Sequence, residues 1–60
     1  MNRNEAIAAA RKFLASRGIA ADLEYAAATP DGWRIEFTAP TAPFDSHVVI
    51  DVAPDATCVW

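Results

Sequence analysis

The sequence predicts an α+β fold: an N-terminal helix packed on one face of a three- or four-stranded antiparallel meander. Three observations carry that expectation. A capped amphipathic segment spans about residues 3–17, alternating apolar runs follow at about 22–28, 33–39 and 47–53, and turn residues separate them. Sixty residues make one domain, 1–60. A domain of that size buries only about 60 % of the surface its unfolded chain exposes, so its core must be used economically and oligomerisation would be a welcome support.

The helix is announced by Asn2 followed three residues later by Glu5, the reciprocal pattern of a capping box. At 100° per residue Ile7, Ala10 and Leu14 centre an apolar stripe flanked by Ala6 and Phe13, while Glu5, Lys12 and Ser16 lie opposite. Gly18 is the expected stop, because glycine accepts the left-handed conformation wanted just past a helix end. Arg17 suits the negative end of the helix dipole, and Arg3 and Arg17 have stems long enough to lie along the apolar stripe.

In the first strand Leu23, Tyr25 and Ala27 alternate with Asp22, Glu24 and Ala26, the period of a half-buried strand. Thr29-Pro30-Asp31-Gly32 reads as a tight turn, which makes the first two strands a hairpin. Trp33, Ile35 and Phe37 point one way and Arg34, Glu36 and Thr38 the other, so the helix must cover the large apolar row. Residues 40–46 form the longest irregular segment. Val48, Ile50 and Val52 then supply a third inward row, with His47, Val49 and Asp51 outward. A second turn at 54–57 precedes Cys58-Val59-Trp60, read as a short returning strand over 58–60 or a folded-back tail.

Charge is partitioned along the chain. The formal net charge is −3, yet Arg3, Arg11, Lys12 and Arg17 precede Gly18 while seven of the eight acids follow it. A helix lying on one face would make that side basic and the sheet side acidic. Four separated cations on a net-acidic chain form no basic stripe with interleaved aromatics, so direct nucleic-acid binding is not expected. The single cysteine makes no internal disulfide, and the N-terminal stretch has no uninterrupted apolar run of the kind a signal peptide or membrane span needs. A cytoplasmic location with no membrane association is the expectation.

Catalytic chemistry has few residues to work with. His47 and Cys58 are the one imidazole and the one thiol, so they form the only nucleophilic dyad the chain could build, with no oxyanion site beside them. Asp45, His47 and Asp51 share one strand parity, but Asp51 sits two pleats from His47, too far for a tight metal cage. The two glycines serve a helix stop and a turn, which leaves no phosphate-cradling loop; no catalytic residue, metal or cofactor is expected. Binding features are better represented. Phe44, flanked by Pro43 and Asp45, is either a stiffened aromatic offered to a partner or a lid on the core. Trp60 is either the closing residue of the core or an interface anchor. Outward Val49 beside Arg34, Glu36 and Asp51 gives the open sheet face a mildly apolar patch, and unpaired sheet edges invite strand addition by another copy or a partner.

The run Glu5-Ala6-Ile7-Ala8-Ala9-Ala10-Arg11-Lys12-Phe13-Leu14, then Gly32-Trp33-Arg34-Ile35-Glu36-Phe37, then Val48-Val49-Ile50-Asp51 before a turn, resembles a PepSY-like unit and the related small immunity proteins of bacterial toxin systems. The resemblance covers most of the chain through its hydrophobic rhythm and the Gly-Trp pair. It implies a non-catalytic binding or inhibitory role toward a protein such as a toxin, a peptidase or another enzyme, and transfers no active-site residue. The alternatives are an acidic anti-defence or nucleic-acid-mimicking protein that blocks a host enzyme, and a self-associating accessory subunit or homodimer.

Overall fold

The computed structural model describes residues 1–39 and 46–59, with Ser46 described through its backbone alone. The chain runs through α1 (Arg3–Ser16), β1 (Asp22–Thr29), β2 (Gly32–Ala39), β3 (Ser46–Val52) and β4 (Cys58–Val59). The four strands form one antiparallel sheet in the order β1-β2-β3-β4, and α1 packs across one face of it. The open meander is therefore four-stranded, with Cys58 and Val59 pairing back onto Val52 and Asp51.

Both ends of α1 are closed by its own sequence. The Asn2 side chain accepts from the Glu5 amide at 2.8 Å and the Glu5 carboxylate accepts from the Asn2 amide at 2.9 Å, so two of the orphan donors of the first turn are satisfied. At the other end Gly18 adopts φ +69°, its N–H bonds the Ala15 carbonyl, and the Ile19 N–H reaches back to the Leu14 carbonyl. This is a Schellman closure, with Ile19 and Leu14 meeting in or against the core as its apolar clasp. Arg17, predicted inside the last turn, is the C-cap instead, and its guanidinium lies 3.8 Å over the Phe13 ring.

The core is assembled from the stripe of α1 and the inward rows of β2 and β3. Ala6, Ile7, Ala10 and Leu14 pack against Ile35, Phe37, Ile50 and Val52, all buried. Alanines at positions 6 and 10 bring the helix axis close to the sheet, which lets Phe37 occupy the middle of a thin two-layer domain. Trp33 and Val48 border this core half-buried, and the Trp33 indole N–H faces the Met1 carbonyl at 3.4 Å.

β1 departs from the simple alternation. The register runs from Leu23 opposite Phe37 directly to Tyr25 opposite Glu36, so Glu24 is an inserted residue and the strand carries a bulge. The extra residue changes the phase of everything after it. Leu23 and Ala26 pack toward the core, whereas Tyr25 is 48 % exposed and Ala27 is also exposed, which corrects the row Leu23, Tyr25, Ala27 expected from period two. The physical reason is that Phe37 and Ile35 must both stay inward on β2, and Leu23 and Ala26 match them only if one residue of β1 is looped out.

The two turns are closed differently. Pro30 and Asp31 link β1 to β2, and Gly32 opens β2 at φ +141°. In the second turn the Ala53 N–H bonds the Thr57 carbonyl, the Thr57 N–H bonds the Asp55 carboxylate at 3.0 Å, and Ala56 takes φ +70°, a left-handed conformation that glycine would adopt with less strain. The Thr57 donors hold the Asp55 carboxyl below its usual range. Among the described residues no helix is long and apolar enough to cross a membrane.

Candidate functional site

α1 covers one face of the sheet and leaves the other bare. The cross-strand register fixes who meets whom on that open face: Tyr25, Glu36 and Val49 form one row, and Ala27, Arg34, Asp51 and Val59 the next. Asp22, Thr38 and His47 form a third. Of the residues expected to bind a partner, Arg34, Glu36, Val49 and Asp51 are thus gathered on one surface. Pro43, Phe44, Asp45 and Trp60 lie outside the described residues.

Three carboxylates of this face, Glu24, Glu36 and Asp51, each have a donor beside them. Arg34 Nε donates to Asp51 Oδ1 at 2.9 Å, with Nη2 at 3.5 Å from Oδ2, a side-on pair between directly opposed residues that holds the guanidinium pKa above its ordinary value. Both side chains are more than half exposed, so the pair fixes geometry more than it adds stability. Glu36 sits between two neighbours: His47 Nδ1 lies 3.1 Å from Glu36 Oε1, and the Tyr25 phenol donates to the same carboxylate from the other side. The Thr38 hydroxyl donates to Glu24, the looped-out residue of β1. A carboxylate on each of the first three strands therefore has a donor beside it, and the face is acidic with a single Arg34 counter-charge among its described residues.

Between these pairs stand three apolar side chains that the fold leaves in water: Tyr25 at 48 %, Val49 at 38 % and Val59 at 59 % exposure. Isolated exposed apolar residues need no explanation, but three on one face of one sheet, on three different strands, make a patch. A shallow hollow of about 340 Å³ adjoins it at the hairpin end, walled by Asp31, Arg34, Asp51 and Val59. Tyr25 and Val59 were not among the residues the sequence pointed to. Tyr25 was concealed by the bulge, and the signal for Val59 is its place one residue after Cys58 on a fourth strand, where alternation turns it outward.

The opposite surface is basic. Arg3, Arg11 and Lys12 are exposed on α1, with Arg17 exposed at its C-cap, so the molecule carries opposite charge on its two faces.

The His47–Cys58 dyad does not assemble, and Asp45, which the metal cage would need, lies outside the described residues. His47 stands on the open face beside Glu36, whereas Cys58 packs against the core on the helix side, its Sγ 3.6 Å from the Ala9 carbonyl oxygen. The sheet lies between them. Burial pushes the Cys58 thiol pKa up, which lowers its thiolate fraction and its nucleophilicity near neutral pH. Asp51 is engaged by Arg34 and His47 by Glu36, and no cluster of three or more His, Cys, Asp or Glu positioned to hold a metal occurs among the described residues.

The phenol reports on this network directly. Tyr25 is held above the ordinary phenol pKa of about 10 first by its hydrogen bond to Glu36 and then by that carboxylate's charge. A raised folded-state pKa on an acid means that the protonated form is favoured by folding. The contribution is fully present below the unfolded value and is lost as pH rises through the folded one. Absorbance titration is expected to give a Tyr25 midpoint above that of free tyrosine in the wild type and a midpoint returned toward it in Glu36→Ala. Equal midpoints in the two proteins would remove the Tyr25–Glu36 contact.

Comparison with protein-family models, with curated proteins and with solved structures finds no match to this chain.

Proposed function

We propose that this protein is a small non-catalytic binding module of the inhibitor or immunity type, which neutralises a protein partner by docking it on the open sheet face. The observation that carries the reading is the composition of that face: Tyr25, Val49 and Val59 exposed among charges already paired within the molecule. Apolar side chains set in a frame of fixed, hydrogen-bonded polar groups are what a protein interface requires, because the apolar contacts supply affinity while the pre-paired charges cost little further ordering. The role is the one that the PepSY-like and immunity-protein rhythm of the sequence implies, with a toxin, a peptidase or another enzyme as the partner.

A second reading rests on the charge of the same face. Glu24, Glu36 and Asp51 against Arg34 would let the surface imitate an acidic polymer and block an enzyme that binds one. Salt distinguishes the two, since an electrostatic contact weakens steeply with ionic strength and an apolar one does not.

The test is affinity capture from the native cell, with Val49→Lys and Tyr25→Ala as face variants and Lys12→Glu as a helix-side control. The expected result is one protein retained by the wild type and by Lys12→Glu through a tenfold rise in salt of the kind that separates screened from unscreened contacts, and lost with Val49→Lys, at roughly tenfold or greater weakening. Loss with Lys12→Glu alone would place the working surface on α1 and overturn the reading. Retention at low salt only would favour the acidic mimic.

A further inference from the structure

We infer that the free edge of β1 between Tyr25 and Thr29 is a strand-addition site for an extended partner segment that carries basic residues at either end of an uncharged centre. The inference adds a second surface to the protein-binding reading and names the chemistry of what it takes.

The sheet has two outer strands of unequal character. β4 is two residues long, and an edge that short offers little template. β1 is eight residues long, and its two halves differ. The first half is guarded by the charges of Asp22 and Glu24 and by the bulge, the devices with which natural sheets blunt an edge. The second half, Tyr25-Ala26-Ala27-Ala28-Thr29, has no charge, no proline and no bulge, and it pairs with β2 in unbroken register. A two-residue loop makes Thr29 and Gly32 the closing pair of the hairpin, so along an antiparallel ladder Ala26 and Ala28 turn their N–H and C=O groups away from β2. No other backbone group of the described residues takes them up. The small side chains place nothing bulky beside these groups.

Charge selects the occupant. Asp22 and Glu24 lie at one end of the bare stretch and Asp31 at the other, all exposed, and β1 with its turn carries no cation. A second copy fits poorly. Two β1 strands paired antiparallel about Ala27 would set Glu24 of each against Pro30 of the other, which has no N–H to give, and would bring Glu24 and Asp31 together at both ends. A foreign strand with Lys or Arg at its ends meets the same groups as complements.

The probe is the capped peptide Lys-Thr-Val-Thr-Val-Lys, titrated into the isotopically labelled full chain and followed by amide chemical shifts and hydrogen exchange, beside Glu-Thr-Val-Thr-Val-Glu. The expected result is saturable shifts centred on residues 25–29, exchange at Ala26 and Ala28 slowed about tenfold or more, and binding of the Glu-ended peptide about tenfold weaker. Ala28→Pro removes an outward N–H at a position where an edge tolerates proline, and is expected to abolish binding. Ala27→Lys leaves every backbone group in place and is expected to narrow the preference between the two peptides while the shifts stay on residues 25–29, which keeps the test decisive if Ala28→Pro fails to fold. Shifts confined to α1 or to Arg34, Val49 and Asp51, equal affinity for the two peptides, absence of saturation at millimolar peptide, or a dimer whose edge amides are protected without peptide would each overturn the inference. The capture experiment with Val49→Lys reads the open face and this one reads the edge, so failure of either is distinguishable from failure of the other.

Discussion

A Gly32→Ala variant is expected to lose about 3 kcal/mol or more of folding stability, one of the two largest effects of a single substitution in this domain. Two independent causes act at the same atom. Gly32 stands at φ +141°, a conformation that L side chains rarely adopt, and a Cβ built on it would collide with the Val52 carbonyl oxygen, while lying 3.1 Å from that carbonyl carbon and 3.2 Å from the Ala53 Cα. These are backbone atoms of the last residue of β3 and of the residue after it, so no rotamer change can relieve the contact and that end of β3 must move. Gly18→Ala is the matched control. Gly18 has φ +69°, yet nothing lies within 4 Å of its Cβ position, so the loss is limited to the left-handed backbone, about 1 kcal/mol. Urea unfolding followed by far-ultraviolet circular dichroism compares the two. Equal midpoints for Gly32→Ala and Gly18→Ala would mean that β3 does not approach the hairpin this closely.

The same glycine shows how much of the structure was legible beforehand. A glycine after Pro-Asp reads as a turn residue, and the hairpin it closes was readable from the sequence. What the sequence does not display is that β3 passes over it, which is a long-range fact set by the Trp33–Val52 register. The helix was legible at both ends because caps are local: Asn2 with Glu5, and Gly18, carry their partners within a few residues. The β2 and β3 rows were legible because large apolar and charged residues alternate there without ambiguity. β1 was not. Ala26, Ala27 and Ala28 are almost indifferent to burial, so nothing in that segment reports a change of phase, and the bulge at Glu24 is dictated by what Phe37 and Ile35 require across the ladder.

The candidate site inherits that asymmetry. Arg34, Glu36, Val49 and Asp51 were assigned outward from alternation on β2 and β3 and share a face in the structure. Their pairing, Arg34 with Asp51 and Glu36 with His47, depends on the relative register of two strands joined by the long segment 40–45, which no local pattern fixes. Tyr25 joined them only because of the bulge. A looped-out residue turns the single tyrosine of the chain from the core face to the open face, and so converts a core side chain into the largest exposed aromatic of the described surface.

That division of labour between the faces yields the second large effect. Phe37→Ala is expected to cost about 3–5 kcal/mol, the range for deleting a fully buried aromatic, and so to leave the chain largely unfolded in a domain of this size. Phe37 has no exposed surface, sits between Leu23 and Val48 in the ladder, and meets the helix stripe with Ile35 and Ile50, so its removal opens a void that two thin layers cannot collapse to fill. Ile35→Val grades the effect, with about 1 kcal/mol expected from one methylene. Tyr25→Ala removes an aromatic of similar size from the adjacent strand, yet its urea midpoint is expected to stay close to that of the wild type while its retention of the captured partner falls. The pair of results would separate the two roles that period-two reading of β1 had merged: Phe37 holds the layers together, and Tyr25 faces outward. A Tyr25→Ala midpoint as low as that of Phe37→Ala would instead place the tyrosine in the core, remove the bulge at Glu24, and with it the open-face patch on which the proposed binding function rests.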